Sequence, residues 1–192
     1  MPKNIVEELE GFYRCHIATP TIVTVHAEGR NNAMTAVWHS TLSFKPPLCG
    51  VSISPDRDTH KLILDAKEFV LNFLPLKRAE IIAQVSGSHW SKVDKFERFN
   101  IDTEPPCKIM SPILKEAYAA YECELFDHHT YGDHEWFVGK IVALHFEDGL
   151  FKENGVLDIE RIRLALYLGN DNYITASSKE IRYLNRKEYG KV

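Results

Sequence analysis

The sequence predicts a mainly β fold, a β-barrel with short helices around it. Short segments rich in β-branched and aromatic residues alternate with turns that contain Gly, Pro or Asn, which is the pattern of antiparallel strands. Helical patches are few and strands do not alternate with helices, so a doubly wound parallel sheet is disfavoured. No G-x-G-x-x-G follows a predicted strand, which argues against a Rossmann-type dinucleotide site.

Individual strands are predicted from alternation and from the residues that interrupt it. Residues 21–27 are β-branched, and residues 28–32 contain Gly29 and two asparagines, so they predict a hairpin turn followed by a return strand over residues 33–42. Pro46 and Pro47 favour an extended entry into the next strand. The other predicted strands are residues 48–54, 69–74, 118–126 and 136–146, the last two separated by a polar turn around Tyr131, Gly132 and Asp133. The predicted helices are residues 59–67, 78–85 and 92–99.

Size and composition limit the classes of protein. The chain has 192 residues, 44% of them apolar and 26% charged, so we expect one globular domain over residues 1–192. A net charge of −4 argues against a nucleic-acid or anionic-membrane surface. Residues 1–11 carry three glutamates and no apolar stretch of the secretory-signal type. The four widely spaced cysteines form no C-x-x-C, which favours free thiols in a reducing cytoplasm.

The strand at residues 48–54 has two different faces. Alternation places Cys49, Val51 and Ile53 on one face. Leu48, Gly50, Ser52 and Ser54 form the other face. A face with Gly and two serines is low and can donate hydrogen bonds, so a flat ring or a phosphate could lie against it. An ordinary solvent-facing strand remains the alternative.

The next segment combines an arginine with the start of a helix. Asp58 or Thr59 is expected to be the N-cap, and a helix N-terminus presents free N–H groups and a positive dipole end. Arg57 and the Thr59 hydroxyl would add a charge and a donor beside it. The pattern fits a monophosphate pocket, and a capped surface helix with a solvated arginine is the alternative.

Residues 32–40 mix small, hydroxyl, aromatic and imidazole side chains on a predicted strand. Such a row could border a heteroaromatic ring, with the backbone at its polar rim and Trp38 as a wall. A barrel strand with a buried tryptophan is the alternative.

Two stretches together resemble a known family. NAMTAVWHSTLSFKPPLCGVSISPDRDTHKLI at residues 32–63, followed by EFVLNFLP at residues 68–75, resembles the N-terminal signature of the flavin-reductase-like, flavoredoxin-type FMN-binding proteins. GDHEWFVGKIVAL at residues 132–144 is similar to a second characteristic strand of that family. The resemblance covers residues 17–150. It implies a split β-barrel, non-covalently bound FMN and a homodimer with the flavin near the subunit interface.

The resemblance also implies which residues contact FMN. The ring edge would be lined by Thr35, Ala36, Val37 and Trp38, with His39 and Ser40 close by. The ribityl chain would follow Ser52 and Ile53, and the phosphate would be held by Arg57 and Thr59. Further contacts are implied for Asn72, for Ser86, Gly87, Ser88 and Lys95 on the phosphate side, and for His134 near the flavin. For Asn72 a structural bond to the backbone is an equal alternative, and the last forty residues match the family least.

Histidines and carboxylates gather near residue 130. Residues 127–129 read Asp-His-His and residues 133–135 read Asp-His-Glu, and two histidines with one carboxylate can hold a transition metal. Polar residues also collect in solvated turns. We predict no metal, and Cys15, His16 and the remaining histidines are expected to have no special role.

The function implied by the resemblance is an FMN-dependent oxidoreductase. NADH or NADPH would pass a hydride to the flavin, which would pass electrons to an acceptor, and the protein would supply position and electrostatics. Hydride transfer needs no side-chain acid or base, so no catalytic residue is predicted. The alternatives are an electron carrier or FMN-binding protein without nicotinamide activity, and a related split barrel that binds haem or another ligand. No partner nucleic acid or membrane is expected, whereas a redox partner protein is.

Overall fold

The computed structural model describes residues 2–9 and 12–185 and contains eleven strands and three α-helices among them. The main antiparallel sheet contains β1 Thr21–Ala27, β2 Arg30–Ala36, β3 His39–Phe44, β4 Pro47–Ile53, β5 Glu68–Phe73, β8 Ala119–Tyr131 and β9 His134–Phe146. Two small hairpins are β6 Thr103–Glu104 with β7 Ile113–Leu114, and β10 Leu166–Gly169 with β11 Asn172–Ile174. The helices are α1 Asp58–Ala66, α2 Ala79–Ser86 and α3 Lys95–Arg98.

The seven strands lie in the order β2-β1-β5-β8-β9-β4-β3. Strands that follow one another in the chain, β2 and β3, therefore occupy opposite edges of the sheet. The sheet curves until β2 contacts β4, and residues 37–38 carry the chain from one edge to the other. This crossing brings the ends of β2 and β4 together.

Strand β1 shows why the sheet is buried on both sides. Its sequence TIVTVHA is rich in β-branched residues, which favour strands. Val23 and Val25 pack inside the barrel with Phe69 and Phe137. Ile22 packs outward against α2. Helix α2 thus covers the outer face of the sheet, whereas Leu62 and Ile63 of α1 pack with the inner cluster of Val23 and Val25.

The predicted return strand at residues 33–42 is corrected by the structure. The turn consists only of Glu28 and Gly29, with φ of 51° and 76°, which is the two-residue hairpin geometry. Strand β2 therefore begins at Arg30 and ends at Ala36. The segment from His39 onward is a separate strand on the other edge, because the chain leaves the sheet at residues 37–38.

Two other boundaries differ from the expectation. Strand β8 continues to Tyr131, so His128 and His129 lie on a strand and the turn is confined to residues 132–133. Helix α3 is shorter than predicted because Asp94 caps it, accepting hydrogen bonds from the backbone N–H groups of Phe96 at 2.9 Å and Glu97 at 3.1 Å. Within the described residues, no helix is long and apolar enough to cross a membrane.

A buried carboxylate fastens the loop before β7. Glu122 on β8 is 0% exposed and accepts hydrogen bonds from the backbone N–H groups of Cys107, Lys108 and Ile109 at 2.7, 2.7 and 3.2 Å. Nε2 of His145 lies 2.5 Å from the same carboxylate. Burial alone would raise the pKa of Glu122, but these hydrogen bonds outweigh it and lower the pKa.

We expect Glu122→Gln to lower the free energy of unfolding by about 1–3 kcal/mol at pH 7, since the amide cannot replace a charged acceptor. The folded-state pKa of Glu122 is depressed, so its contribution is fully present above the unfolded pKa of about 4.3 and is lost as the pH falls through the folded pKa. Urea unfolding at pH 7 and pH 3 measures both effects, with the exposed Glu124→Gln as control. An equal loss at both pH values would contradict the role of the charge.

Candidate functional site

The crossing at residues 37–38 borders a cavity of about 530 Å³. The end of β2, the crossing, the end of β4 and the loop before α1 supply most of its walls. Its lining residues are Met34, Thr35, Ala36, Val37, Trp38, Ser52, Ile53, Ser54, Asp56, Arg57, His89, His134 and Tyr167. The volume lies in the usual range for small-molecule sites, about 300–1,000 Å³. We call this cavity the crossing cavity.

Half of the residues predicted as ligand contacts lie together here. They are Thr35, Ala36, Val37, Trp38, Ser52, Ile53, Arg57 and His134. The sequence reasoning missed Met34, Ser54, Asp56, His89 and Tyr167. Asp56 and Ser54 flank residues that were named, so proximity in sequence could have found them. Tyr167 carries no such signal, because it reaches the cavity from a hairpin more than a hundred residues away.

Aromatic rings form one end of the crossing cavity. The rings of Trp38 and His134 are 4.9 Å apart at an angle of 50°. The Trp38 carbonyl accepts a hydrogen bond from Ser52 N–H at 2.8 Å, and the Thr35 hydroxyl donates to the Ile82 carbonyl at 2.5 Å. These bonds hold the backbone of the crossing in a fixed conformation.

His134 is oriented by its neighbour. Its Nδ1 lies 2.8 Å from Oδ1 of Asp133, and because a carboxylate only accepts, Nδ1 is assigned the proton. The hydrogen bond from His134 lowers the pKa of Asp133. The other ring nitrogen, Nε2, is then the one that can accept from a ligand when the ring is neutral.

Tyr167 lines the cavity from the hairpin of β10 and β11. Its backbone N–H donates to the Ala18 carbonyl at 2.8 Å, and its carbonyl accepts from Ala18 N–H at 3.2 Å. Its hydroxyl accepts from Asp171 N–H at 3.4 Å, and its ring lies 5.2 Å from that of Tyr173. A segment near each end of the described chain therefore completes the cavity.

Charges of both signs form the other end. Arg57 is exposed and is the N-cap of α1 through its backbone, which corrects the prediction that Asp58 or Thr59 caps the helix. No side chain caps this helix. Asp58 is the first helical residue and accepts from Ser91 N–H at 3.4 Å, with Nδ1 of His89 at 3.7 Å. Asp56 and Asp58 thus flank the arginine.

A buried lysine lies beneath this end without lining the cavity. Lys95 is 3% exposed, and its Nζ donates to the carbonyls of Ala33 at 2.7 Å and Val85 at 3.2 Å. Burial lowers the pKa of Lys95 to about 8, with Asp58 acting to raise it and Arg57 to lower it. Its charge is therefore coupled to the residues around Arg57.

Several predicted contacts lie elsewhere. Thr59 is 1% exposed and its hydroxyl accepts from Asn32 Nδ2 at 2.7 Å, so it is buried behind the helix start. Asn72 is in the core, where Nδ2 donates to the Ile22 carbonyl and Oδ1 accepts from Leu114 N–H. The structural alternative therefore describes Asn72. Helix α2 ends at Ser86, and neither this residue nor Gly87 or Ser88 lines the cavity. A different cavity is lined by His39 and Ser40.

The low face of β4 is covered by protein. A Cβ atom on Gly50 would lie 2.2 Å from Nε1 of Trp136. Ser52, which pairs with Trp136 in the neighbouring strand, remains in the crossing cavity. The prediction that a ring or phosphate lies against this face is therefore wrong at Gly50, because the indole of Trp136 covers that residue.

The histidine-rich region is organised around one carboxylate. Glu135 is 8% exposed, with His60 Nε2 at 2.5 Å from one oxygen and His128 Nδ1 hydrogen-bonded to the other. Burial would raise the pKa of Glu135, and the two histidines outweigh it and lower the pKa. Among the described residues, no three His, Cys, Asp or Glu side chains are arranged to hold a metal ion.

The fold and the cavity define a class of protein: a curved antiparallel barrel with a cavity at the crossing between its two edge strands. A family model described as the flavin reductase like domain matches residues 13–175, and the chain belongs to this family. The resemblance found in the sequence is thereby confirmed.

Solved structures of other proteins share this fold. The crystal structure of an FMN-binding protein from Thermus thermophilus with bound 1-cyclohex-2-enone is 36% identical, with a TM-score of 0.83, covering 95% of this chain and 99% of that one. A crystal structure with a split barrel domain from Shewanella frigidimarina has a TM-score of 0.82 at 21% identity, covering 95% of this chain and 100% of that chain. The mainly β split-barrel fold is confirmed.

A characterised relative adds an activity. The reductase component of the FADH(2)-dependent resorcinol hydroxylase from a Rhizobium species is 27% identical over 144 residues, which are 74% of this chain and 78% of that protein. The solved and characterised relatives therefore include flavin-binding oxidoreductases.

We expect Gly50→Ala to lower the melting temperature, because the new methyl group must displace the indole of Trp136, and overpacking costs about 1–3 kcal/mol. Gly87→Ala is the matched control, since its Cβ would meet nothing closer than the Ala83 carbonyl at 3.9 Å. Thermal unfolding followed by circular dichroism compares the two variants. Equal melting temperatures would show that Trp136 does not press on Gly50.

Proposed function

We propose that the chain binds FMN non-covalently in the crossing cavity and works as an NAD(P)H-dependent oxidoreductase. The observation that carries this proposal is the chemistry of that cavity, whose lining combines the rings of Trp38 and His134 with the guanidinium of Arg57. These groups match the two parts of a flavin mononucleotide, a flat heteroaromatic ring and a phosphate. The whole chain is proposed to act as a single domain.

The ring would lie at the Trp38 end. Val37 and Trp38 lie outside any strand and line the cavity, and the Trp38 carbonyl is held by Ser52 N–H, so the polar rim of the ring would lie beside this fixed stretch of backbone. Fixed N–H groups at this position would stabilise negative charge on the pyrimidine side. Trp38, Ile53 and Tyr167 would exclude water from the ring face, and His134 would contact its edge through Nε2.

The phosphate would lie at the Arg57 end. The guanidinium is exposed and stands at the N-terminus of α1, where the helix dipole favours an anion. The carboxylates of Asp56 and Asp58 would repel an anion there. The buried Lys95 adds a second positive charge that would attract it. His89 lies in the crossing cavity at the place that the resemblance gives to Ser86–Ser88. The hydroxyl of Thr59 is proposed to hold the helix start rather than the phosphate.

When bound, the flavin supplies hydride and electron transfer. The chain's own residues bind it, orient it and keep water from one face. The activity of the Rhizobium reductase component supports a reductase, and the nicotinamide co-substrate and the final acceptor are part of the proposal. A redox partner protein is proposed as one such acceptor.

A second function is a flavoredoxin-like carrier or FMN-binding protein without nicotinamide activity. It is favoured by one observation: the Thermus thermophilus relative, at 36% identity, is described by its FMN binding. The protein's visible spectrum, recorded before and after anaerobic addition of NADH and NADPH separately, distinguishes the two. A yellow protein that bleaches is a reductase, and one that stays yellow is a carrier. Colourless protein that takes up no added FMN overturns both, and a Soret band would indicate haem.

Loss of phosphate recognition can be measured by comparing two ligands. We expect Arg57→Ala to weaken FMN binding roughly tenfold to a hundredfold, because a charge-assisted hydrogen bond to the phosphate is lost. Riboflavin, which has no phosphate, should bind both proteins alike. Fluorescence titration measures both ligands, and Arg98→Ala, exposed on α3, is the control. Equal weakening of both ligands would assign Arg57 a structural role.

The ring position can be measured through flavin emission. Trp38→Leu should raise the fluorescence of bound flavin and weaken FMN binding about tenfold or less, since a stacking contact adds ~0.5–1.5 kcal/mol beyond the area buried. A thermal melt accompanies the titration, because loss of a core tryptophan would instead cost about 3 kcal/mol or more of stability. Unchanged emission with a large loss of stability would place the ring away from Trp38.

A homodimer is proposed from exposed apolar side chains on three strands. They are Leu42 and Phe44 on β3, Phe126 on β8, and Leu144 and Phe146 on β9, which are between 45% and 90% exposed. Large exposed apolar surfaces mark interfaces, and a twofold dimer is the commonest assembly. Sedimentation should give about twice the chain mass of 22.1 kDa, and a flavin-loaded monomer would contradict this.

A cytoplasmic location is proposed from the four free cysteines.

A further inference from the structure

A second cavity, of about 410 Å³, lies next to the crossing cavity and shares none of its lining residues. Trp38 lines the crossing cavity and the next residue, His39, lines this one, so the two cavities open on opposite sides of the chain. We call it the His39 cavity. Its lining residues are Thr19, His39, Ser40, Thr41, Cys49, Leu71, Phe73, Tyr118, Ala119, Tyr121, Leu150, Phe151, Leu157 and Leu164.

The walls of the His39 cavity are preformed. Leu71 is 1% exposed and belongs to the barrel core. Leu150 is 2% exposed, and its carbonyl accepts from Asp158 N–H at 2.9 Å, while its own N–H donates to the Glu147 carbonyl at 3.1 Å. Leu164 is bridged to Pro75. These bonds fix the segment that covers the cavity, so a ligand would not have to order it.

The lining carries no formal charge at neutral pH. None of the fourteen lining residues is Asp, Glu, Lys or Arg. Burial raises the pKa of Tyr118 to about 12 and also raises the pKa of Tyr121, so both phenols stay protonated. Burial lowers the pKa of His39, although its bond to the Thr19 carbonyl acts to raise it. A charged ligand would lose its hydration here without gaining a counter-ion, so the ligand must be neutral.

His39 contributes an imidazole acceptor to the lining, beside the hydroxyl groups of Tyr118 and Tyr121. Its Nε2 is 2.7 Å from the Thr19 carbonyl, and because a carbonyl only accepts, Nε2 is the protonated nitrogen of the neutral ring. Nδ1 is then an acceptor, and no donor among the described residues forms a hydrogen bond with it. The ring of Phe73 lies 5.6 Å from His39 and 5.2 Å from Tyr121. An acceptor beside aromatic rings is suited to a hydroxyl group on an aromatic ring.

We propose that the His39 cavity binds a small neutral phenol, whose ring packs among Phe73, Tyr121 and Leu157 and whose hydroxyl donates to Nδ1 of His39. The site is independent of the flavin site, since the two cavities share no residue. Phenol binding in the His39 cavity can therefore be tested independently of flavin binding in the crossing cavity.

Calorimetric titration of the full chain with three probes tests the proposal. They are p-cresol, toluene, which lacks the donor, and benzoate, which is charged. Wild-type protein should bind p-cresol more tightly than toluene and should not bind benzoate, and an excess of FMN should not change these results. Absence of p-cresol binding, or benzoate binding as tight as that of p-cresol, would overturn the proposal. Competition between p-cresol and FMN would place the phenol in the crossing cavity and overturn it too.

Two variants locate the bound phenol. His39→Phe should weaken p-cresol about threefold to tenfold, the effect of one neutral hydrogen bond, and leave toluene unchanged. Leu157→Trp should abolish binding of both probes by filling the cavity, whereas Leu168→Trp, on a residue that is 41% exposed and outside the cavity, should change neither. If His39→Phe does not fold by circular dichroism, Leu157→Trp decides alone. Unchanged binding in Leu157→Trp would overturn the site.

Discussion

The crossing of the chain between the two edges of the sheet is the constraint on which the site depends. Strands β2 and β3 follow one another in sequence but lie at opposite edges, so two residues must span the gap. The hydrogen bond from Ser52 N–H to the Trp38 carbonyl fixes that span against β4. Backbone outside a ladder needs other partners, and for Trp38 the end of β4 supplies one. The same geometry sends Trp38 and His39 into two different cavities.

The cationic end of the crossing cavity is balanced rather than simply positive. Arg57 stands between Asp56 and Asp58, and Lys95 is held in the interior with its pKa lowered to about 8. An anion beside Arg57 would favour the charged form of Lys95 and offset its burial. Anion binding and the protonation of Lys95 are thus linked. The carboxylates of Asp56 and Asp58 lower the net positive charge around Arg57.

Much of the fold could be predicted from the sequence, because alternation and turn residues are local signals. The strand at residues 21–27 and the helices before and after β5 were placed to within one residue. The split of residues 33–42 into two strands on opposite edges was not predictable, because both halves alternate and only the sheet order separates them. The length of β8 was missed for a related reason, since the polar residues 127–131 pair with β9 beyond the core.

The site was predicted in part, and the errors have a common physical cause. The residues near Trp38 and Arg57 came from two continuous stretches, and the structure brings them together. Thr59 and Asn72 have polar side chains that suit a ligand, but each meets its partner inside the protein, and sequence does not show which partner is nearer. Gly50 left an open face on β4 that a residue of the neighbouring strand, Trp136, fills. Tyr167 was missed because long-range pairing with Ala18 brings it to the site.

That pairing has a consequence for biosynthesis. Tyr167 leaves the ribosome 149 residues after Ala18, and translation adds only about 5–20 residues per second. The wall that Tyr167 forms does not exist on any nascent chain shorter than this point, although Trp38 and Arg57 emerged long before. A complete crossing cavity therefore exists only after Tyr167 has emerged, and chains truncated before this residue lack that wall.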